Sequence, residues 1–180
     1  MIRRRVLLAL SRFAVFVTSP LAHATEVVPS LGMSRNPSYG DAAKVSYGLA
    51  LRHDLAPFMS GELGVGYRQD QLQSGTIEST QWPVTLSLWF KPIPAIYLGG
   101  GTGLYNTTMH YPNSAITDKT TNTDFGLHVG GGVVLPMIPG LASLDVSGRY
   151  VRLGTAITEV LSQSILSDYW TTSLGVAFQF

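Results

Sequence analysis

The sequence predicts an all-β protein, an eight-stranded antiparallel up-and-down transmembrane β-barrel, and three observations carry that expectation. Apolar and polar residues alternate with a period of two through segment after segment, the signature of a strand whose two faces meet different surroundings. The connections between these segments are short and long in turn. The polar face consists mainly of Gly, Ser, Thr and Ala with isolated charges, where a water-facing sheet would carry many Lys and Glu.

The chain of 180 residues opens on a segment outside this pattern. Arg3, Arg4 and Arg5 precede a largely apolar stretch over 6–21, and Ala22-His23-Ala24 supplies the small residues a signal peptidase needs. Residues 1–24 are therefore expected to be a secretory signal peptide, and 25–180 the barrel domain. Arg12 and Pro20 interrupt the apolar run, leaving it short of the ~20 residues of a spanning helix. The leader contains four Arg and no acid, so the formal charge of +1 is a targeting feature and the remainder is net negative. That balance gives no case for a nucleic-acid partner. With no Cys, thiol chemistry and a disulfide scaffold are excluded.

The strands follow in order. The first falls near 28–36. The second sets Val45, Tyr47, Leu49 and Leu51 against Lys44, Ser46, Gly48, Ala50 and Arg52. The third sets Leu63, Val65 and Tyr67 against Glu62, Gly64, Gly66 and Arg68. The fourth sets Trp82, Val84, Leu86, Leu88 and Phe90 against Gln81, Pro83, Thr85, Ser87 and Lys91, with Trp89 as the exception. The fifth, near 96–109, contains Gly99-Gly100-Gly101, which blurs its two faces. In the sixth, Phe125, Leu127, Val129, Val133 and Leu135 alternate with Asp124, Gly126, His128, Gly130 and Gly132. The seventh places Leu144, Val146 and Tyr150 opposite Asp145, Ser147 and Arg149. In the last, Trp170, Leu174, Val176, Phe178 and Phe180 alternate with Tyr169, Thr171, Ser173, Gly175, Ala177 and Gln179.

Short connections are expected near 53–57, 91–95 and 136–140, where Pro57, Pro94 and Pro139 stop the ladder by fixing φ and removing a donor. Long ones are expected near 36–43, 69–79, 106–123 and 153–167. Eight strands can close, and closure removes the unpaired edges of an open sheet. Beyond residue 24 no apolar run is long enough for a helical span.

The apolar face is expected to meet lipid. Small polar-face residues suit the narrow interior of an eight-stranded barrel. Aromatic residues fall near strand ends, at Trp82, Phe90, Tyr97, Phe125, Tyr150, Trp170, Phe178 and Phe180, where rings favour the headgroup level. In hydrocarbon every backbone N–H and C=O must pair internally, and a sheet achieves this only by closing.

Two features point to a family. The chain ends on Phe180, with Phe178, Val176 and Leu174 at alternate positions before it, and the strand-turn-strand over 125–150 is rich in Gly. On these, residues 28–180 resemble the small outer-membrane β-barrel proteins of Gram-negative bacteria, the OmpA-like, OmpX-like and opacity-type group. The resemblance implies a location in the cell outer membrane. It implies contact with outer-membrane lipid and lipopolysaccharide, and recognition of Leu174, Val176, Phe178 and Phe180 by the barrel assembly machinery. The third long connection carries no recognised adhesin motif.

The charges expected inside the barrel are Glu62, Arg68, Lys91, Asp124, His128, Asp145 and Arg149. Unpaired charges in a low-dielectric lumen are costly, so pairing of Glu62 or Asp145 with Arg149 is expected, as a network that plugs and rigidifies the barrel. A gated conduction path is the alternative for the same residues. His110-Tyr111-Pro112-Asn113-Ser114 faintly resembles the His-x-Ser-Asn stretch of lipid A deacylases. Such a site needs a Ser, a His within hydrogen-bond reach and an orienting acid. Here Pro112 breaks the spacing, and the only acids on offer are Asp118 and Glu159 in loops. His53, His110 and His128 fall at different levels, so no metal site is expected. The run Gly99–Gly103 lacks the Lys-Ser/Thr ending of a phosphate loop and is read as relief of crowding in a curved strand. The expected role is structural or surface-interacting, with four loops displayed outside the cell and no cofactor or catalysis. A barrel enzyme acting on lipid A or phospholipid, or a narrow channel, is the alternative.

Overall fold

The computed structural model describes residues 25–36, 43–72, 77–110, 119–153, 156–157, 164–165 and 168–180. Residues 1–24, expected to be a signal peptide, lie outside the described residues. Eight long strands close into a barrel: β1 (Thr25–Arg35), β2 (Lys44–Ala56), β3 (Met59–Leu72), β4 (Ile77–Ile93), β5 (Ile96–His110), β6 (Lys119–Ile138), β7 (Ala142–Leu153) and β10 (Tyr169–Gln179). Each pairs antiparallel with its sequence neighbour, and β1 pairs with β10, with Val27 opposite Phe178 and Leu31 opposite Leu174. A separate two-stranded ladder, β8 (Ala156–Ile157) with β9 (Ser164–Ile165), interrupts the connection from β7 to β10.

The alternation decides the faces. Val45, Leu49, Leu63, Val84, Leu86, Leu104, Leu127, Val129, Val146 and Leu174 all point outward and are about half exposed. Their neighbours in sequence fill the lumen. On β4 this apolar belt runs from Trp82 to Ile93, roughly 28 Å along the axis at about 3.3 Å per residue and a tilt of about 40°, which covers the hydrophobic band of about 25 Å. At its upper edge Tyr67 lies 4.7 Å from Trp82 and 6.3 Å from Tyr47, and Tyr150 lies 4.8 Å from Trp170. At the lower edge Phe58 and Phe90 meet edge-on at 6.2 Å.

The three short turns, at 57–58, 94–95 and 139–141, all lie at one end, with Thr25 and Phe180. Each is preceded by a register shift, between Asp54 and Ala56, Phe90 and Ile93, and Pro136 and Ile138. Bulges there let the ladder end beside residues that cannot donate. Gly140 takes φ +71°, which a Cβ would disfavour, while the Leu141 N–H donates to the Ile138 carbonyl.

At the other end the strands run further than expected. Regions 69–79 and 106–123 were expected to be loops, but the β3–β4 ladder continues to Leu72 opposite Ile77 and the β5–β6 ladder to His110 opposite Lys119. These extensions carry Gln, Asp, Thr, Asn and Ser. Both their faces lie beyond the belt, so no apolar alternation marks them in the sequence. β1 likewise starts at Thr25 instead of residue 28, because the Phe180 N–H donates to the Thr25 carbonyl and closes the seam.

Candidate functional site: the ion-paired lumen

The lumen is filled at mid-height by side chains from seven strands. Register puts Arg52 of β2 opposite Glu26 of β1 on one side and Glu62 of β3 on the other. Arg52 donates through Nε and Nη2 to one oxygen of Glu62, at 3.0 and 2.8 Å. Its Nη1 crosses the lumen to Asp145 of β7 at 2.9 Å and lies 3.6 Å from Glu26. The second oxygen of Glu62 accepts from Arg149 at 2.7 Å. The Tyr97 hydroxyl of β5 donates to Asp145 at 2.9 Å.

Rings complete the plug. Arg52 lies 4.6 Å from the Tyr97 ring centre and Arg149 lies 5.0 Å from that of Trp89, distances at which a cation is drawn to a π face. Trp89 and Tyr97 meet edge to face at 5.2 Å. His128 of β6 bonds Ser87 through Nε2 at 2.9 Å beside Trp89. Glycines make the room. Trp89 sits opposite Gly99 and Tyr97 opposite Gly132, where an added Cβ would lie 2.5 Å from the Tyr97 hydroxyl.

The residues expected to form one network divide by height. Glu62, Asp145 and Arg149 meet in the plug, with His128 against it. Arg68 stands higher, 3.6 Å over the Tyr169 ring. Lys91 lies toward the short-turn end on Asp54. Asp124 sits toward the other end, half-buried, accepting from Asn122 at 2.8 Å. Lys91 and Asp124 thus belong to the two ends of the barrel, since register along tilted strands separates charges that share a face.

Sequence reasoning missed Arg52, Glu26, Trp89 and Tyr97. Arg52 continues the inward parity of Ser46, Gly48 and Ala50, a signal present in the alternation. Trp89 was the exception to its strand's pattern; it faces inward because Leu88 and Phe90 on either side face out. Tyr97 was expected in a lipid-facing girdle and is instead 2% exposed inside the lumen. Ile96 and Leu98 take the outward positions, and the glycine run had concealed that parity.

His110 is the last residue of β5, exposed and opposite Lys119, while Ser114, Asp118 and Glu159 lie outside the described residues. Leu174, Val176, Phe178 and Phe180 lie on the outward face of β10 and the chain end just after it.

No family model and no curated relative matches the sequence. Solved structures do. Neisserial surface protein A matches with a TM-score of 0.65 at 15% identity, over 88% of this chain and 97% of that one. Ail, the attachment invasion locus protein of Yersinia pestis, matches at 0.55 with 16% identity, over 88% and 98%. The N-terminal β-barrel domain of Pseudomonas aeruginosa OprF matches at 0.51 with 14% identity, over 87% and 97%. The protein is an eight-stranded closed β-barrel with the fold of these proteins. Its fold is that of the small outer-membrane barrels, and its outward belt and aromatic rims fit a bilayer. In barrels of the outer-membrane type the short turns face the periplasm and the longer loops the cell exterior.

Proposed function

We propose that this outer-membrane barrel is a non-catalytic scaffold that presents its polar extensions for interaction at the cell surface. The observation that carries this reading is the overhang of β5 and β6. From Asn106 opposite Thr123 to His110 opposite Lys119, the ladder continues beyond Leu104 and Phe125, the last belt residues on those strands. It rises about 3.3 Å per residue along the strand, roughly 15 Å in all. A Thr108–Thr121 hydroxyl contact at 3.2 Å and Gln81 donating to Thr107 at 2.9 Å brace it. A paired ladder holds its exposed Thr, Asn and His groups in fixed positions, which lowers the ordering cost of binding. The same fold occurs in a neisserial surface protein and an attachment invasion locus protein. The Arg52–Glu62–Asp145–Arg149 plug argues against a conduction path, and outward Leu174, Val176, Phe178 and Phe180 suit recognition by the assembly machinery.

The test replaces residues 107–122 with Asn-Gly, closing a tight turn between Asn106 and Thr123. Binding of the expressing cells to host-cell layers is then compared with the full chain. Loss of binding with retained heat-modifiable gel mobility is expected. Undiminished binding, or discrete conductance steps from the full chain in planar bilayers, would overturn the proposal.

A further inference from the structure

Above the plug the lumen is not filled. A cavity of about 120 Å³ lies between small residues of β1, β2 and β3, among them Ser34, Gly48 and Gly64, and a bulkier wall of Tyr105, Val151 and Tyr169. These three wall residues belong, with Leu153, to one buried apolar cluster. Gly48 and Gly64 keep the facing wall low, since a Cβ there would lie 2.6 Å from Ser30 Oγ and 2.7 Å from Thr85 Oγ1. Most of the surface that meets the cavity is carbon. The two arginines at its edge are already engaged, Arg149 by Glu62 at 2.7 Å and Arg68 by the face of the Tyr169 ring at 3.6 Å. No carboxylate lines it among the described residues. An ion entering would lose hydration without gaining a counter-charge, so the chamber selects against charged guests.

Three polar groups interrupt this lining, and all are almost wholly buried. Ser34 and Tyr105 are each 1% exposed and His128 3%. Ser34 Oγ, Tyr105 Oη and His128 Nδ1 find no hydrogen-bond partner among the described residues, although Nε2 of the same imidazole is engaged by Ser87. Buried polar atoms in native proteins are nearly always bonded, and a buried hydroxyl left without a partner is destabilising. A largely apolar pocket with a few polar atoms converging on it is the general form of a small-molecule site. Hydroxyls both give and accept a hydrogen bond, so two hydroxyls and an imidazole nitrogen suit a guest that does the same. The size suits one ring, since an apolar cavity of about 150 Å³ holds benzene.

We propose that this chamber is a binding site for a small neutral amphiphile, a single ring or short chain that bears a hydroxyl. Its carbon body lies against Val151 and the rings of Tyr105 and Tyr169, and its hydroxyl pairs with Tyr105 Oη and His128 Nδ1. The bond between Ser87 and Nε2 holds the imidazole, which leaves Nδ1 for the guest. Arg149 is shared between the cavity edge and the ion-paired plug, so the plug floors the chamber and the guest is retained, not passed through.

The experiment uses the folded protein in phosphatidylcholine nanodiscs, with phenol, benzene and benzoate as probes of one size and different polarity. Amide chemical shifts are followed through each titration. Phenol should give saturable shifts confined to cavity-lining amides, benzene should bind the same amides more weakly, and benzoate should leave them unmoved. Tyr105→Phe keeps the ring and removes the hydroxyl. It should weaken phenol binding about three- to tenfold, the scale of one neutral hydrogen bond, and leave benzene binding unchanged. Ser34→Leu fills the chamber and should abolish binding of both. Tyr105→Phe decides the matter even if Ser34→Leu fails to fold. Shifts that rise with phenol without saturating would mean that the probe only partitions into lipid and that water alone fills the chamber. That result would overturn the site, as would benzoate binding as tightly as phenol, or phenol affinity unchanged in Tyr105→Phe.

Discussion

Arg52 and Glu62 face each other across the β2–β3 ladder, and one oxygen of Glu62 takes both the Nε and the Nη2 bond of Arg52. The other oxygen is thereby left to Arg149 from the far wall. A single carboxylate therefore ties β2, β3 and β7 together through the lumen. Removing it strands two guanidiniums in a site where Arg52 is 2% exposed. Glu62→Gln should cost about 3–5 kcal/mol, the range for breaking a buried pair from one side. Urea unfolding of the barrel in lipid vesicles measures it. A loss below about 1 kcal/mol would show that Asp145 and Glu26 suffice to hold both arginines.

The glycines of β5 are required by close approach. A Cβ on Gly101 would lie 2.0 Å from the Leu86 carbonyl oxygen and 2.7 Å from the Ser87 Cα, both backbone atoms that cannot move aside. Gly101→Val should abolish the folded, fast-migrating gel band. Gly148→Ala, where the nearest atom is 3.9 Å away, should fold normally. Equal folding of both variants would mean that β4 and β5 lie further apart than described.

Outward residues should obey the depth of the bilayer. Leu86 stands near the middle of the belt on β4, and Thr123 lies beyond Phe125 on β6. Leu86→Arg should lower folding stability by about 2–4 kcal/mol, and Thr123→Arg by about 0–1 kcal/mol. Similar costs at both positions would sink the assignment of the belt to lipid.

Asp168 fastens the outer ends of β7 and β10. One oxygen accepts from the Tyr150 hydroxyl at 2.8 Å and the other from the Leu153 N–H at 3.0 Å. Asp168→Ala should leave the barrel closed while the Leu153 amide exchanges with deuterium faster, because only that corner loses its partner. Unchanged protection at Leu153 would show the contact to be dispensable.

What the sequence by itself determined is the parity of the strands. A period of two says which residues share a face, and a polar face of Gly, Ser and Thr says that the other face meets lipid. Together these settle strand number, closure and belt before any coordinates. The same logic placed Glu62, Asp145 and Arg149 inside, but parity carries no height. Only the tertiary structure set Arg52, Glu62, Asp145 and Tyr97 at one level and sent Lys91 and Asp124 to opposite ends, because contact across a lumen depends on the stagger of tilted strands. It also turned Tyr97 and Trp89 inward onto glycines, where a run without side chains left no pattern to read. The ladders beyond Gln69 and Asn106 were hidden for a related reason: with water on their outer faces, the alternation that marks a strand is lost, though the backbone still pairs.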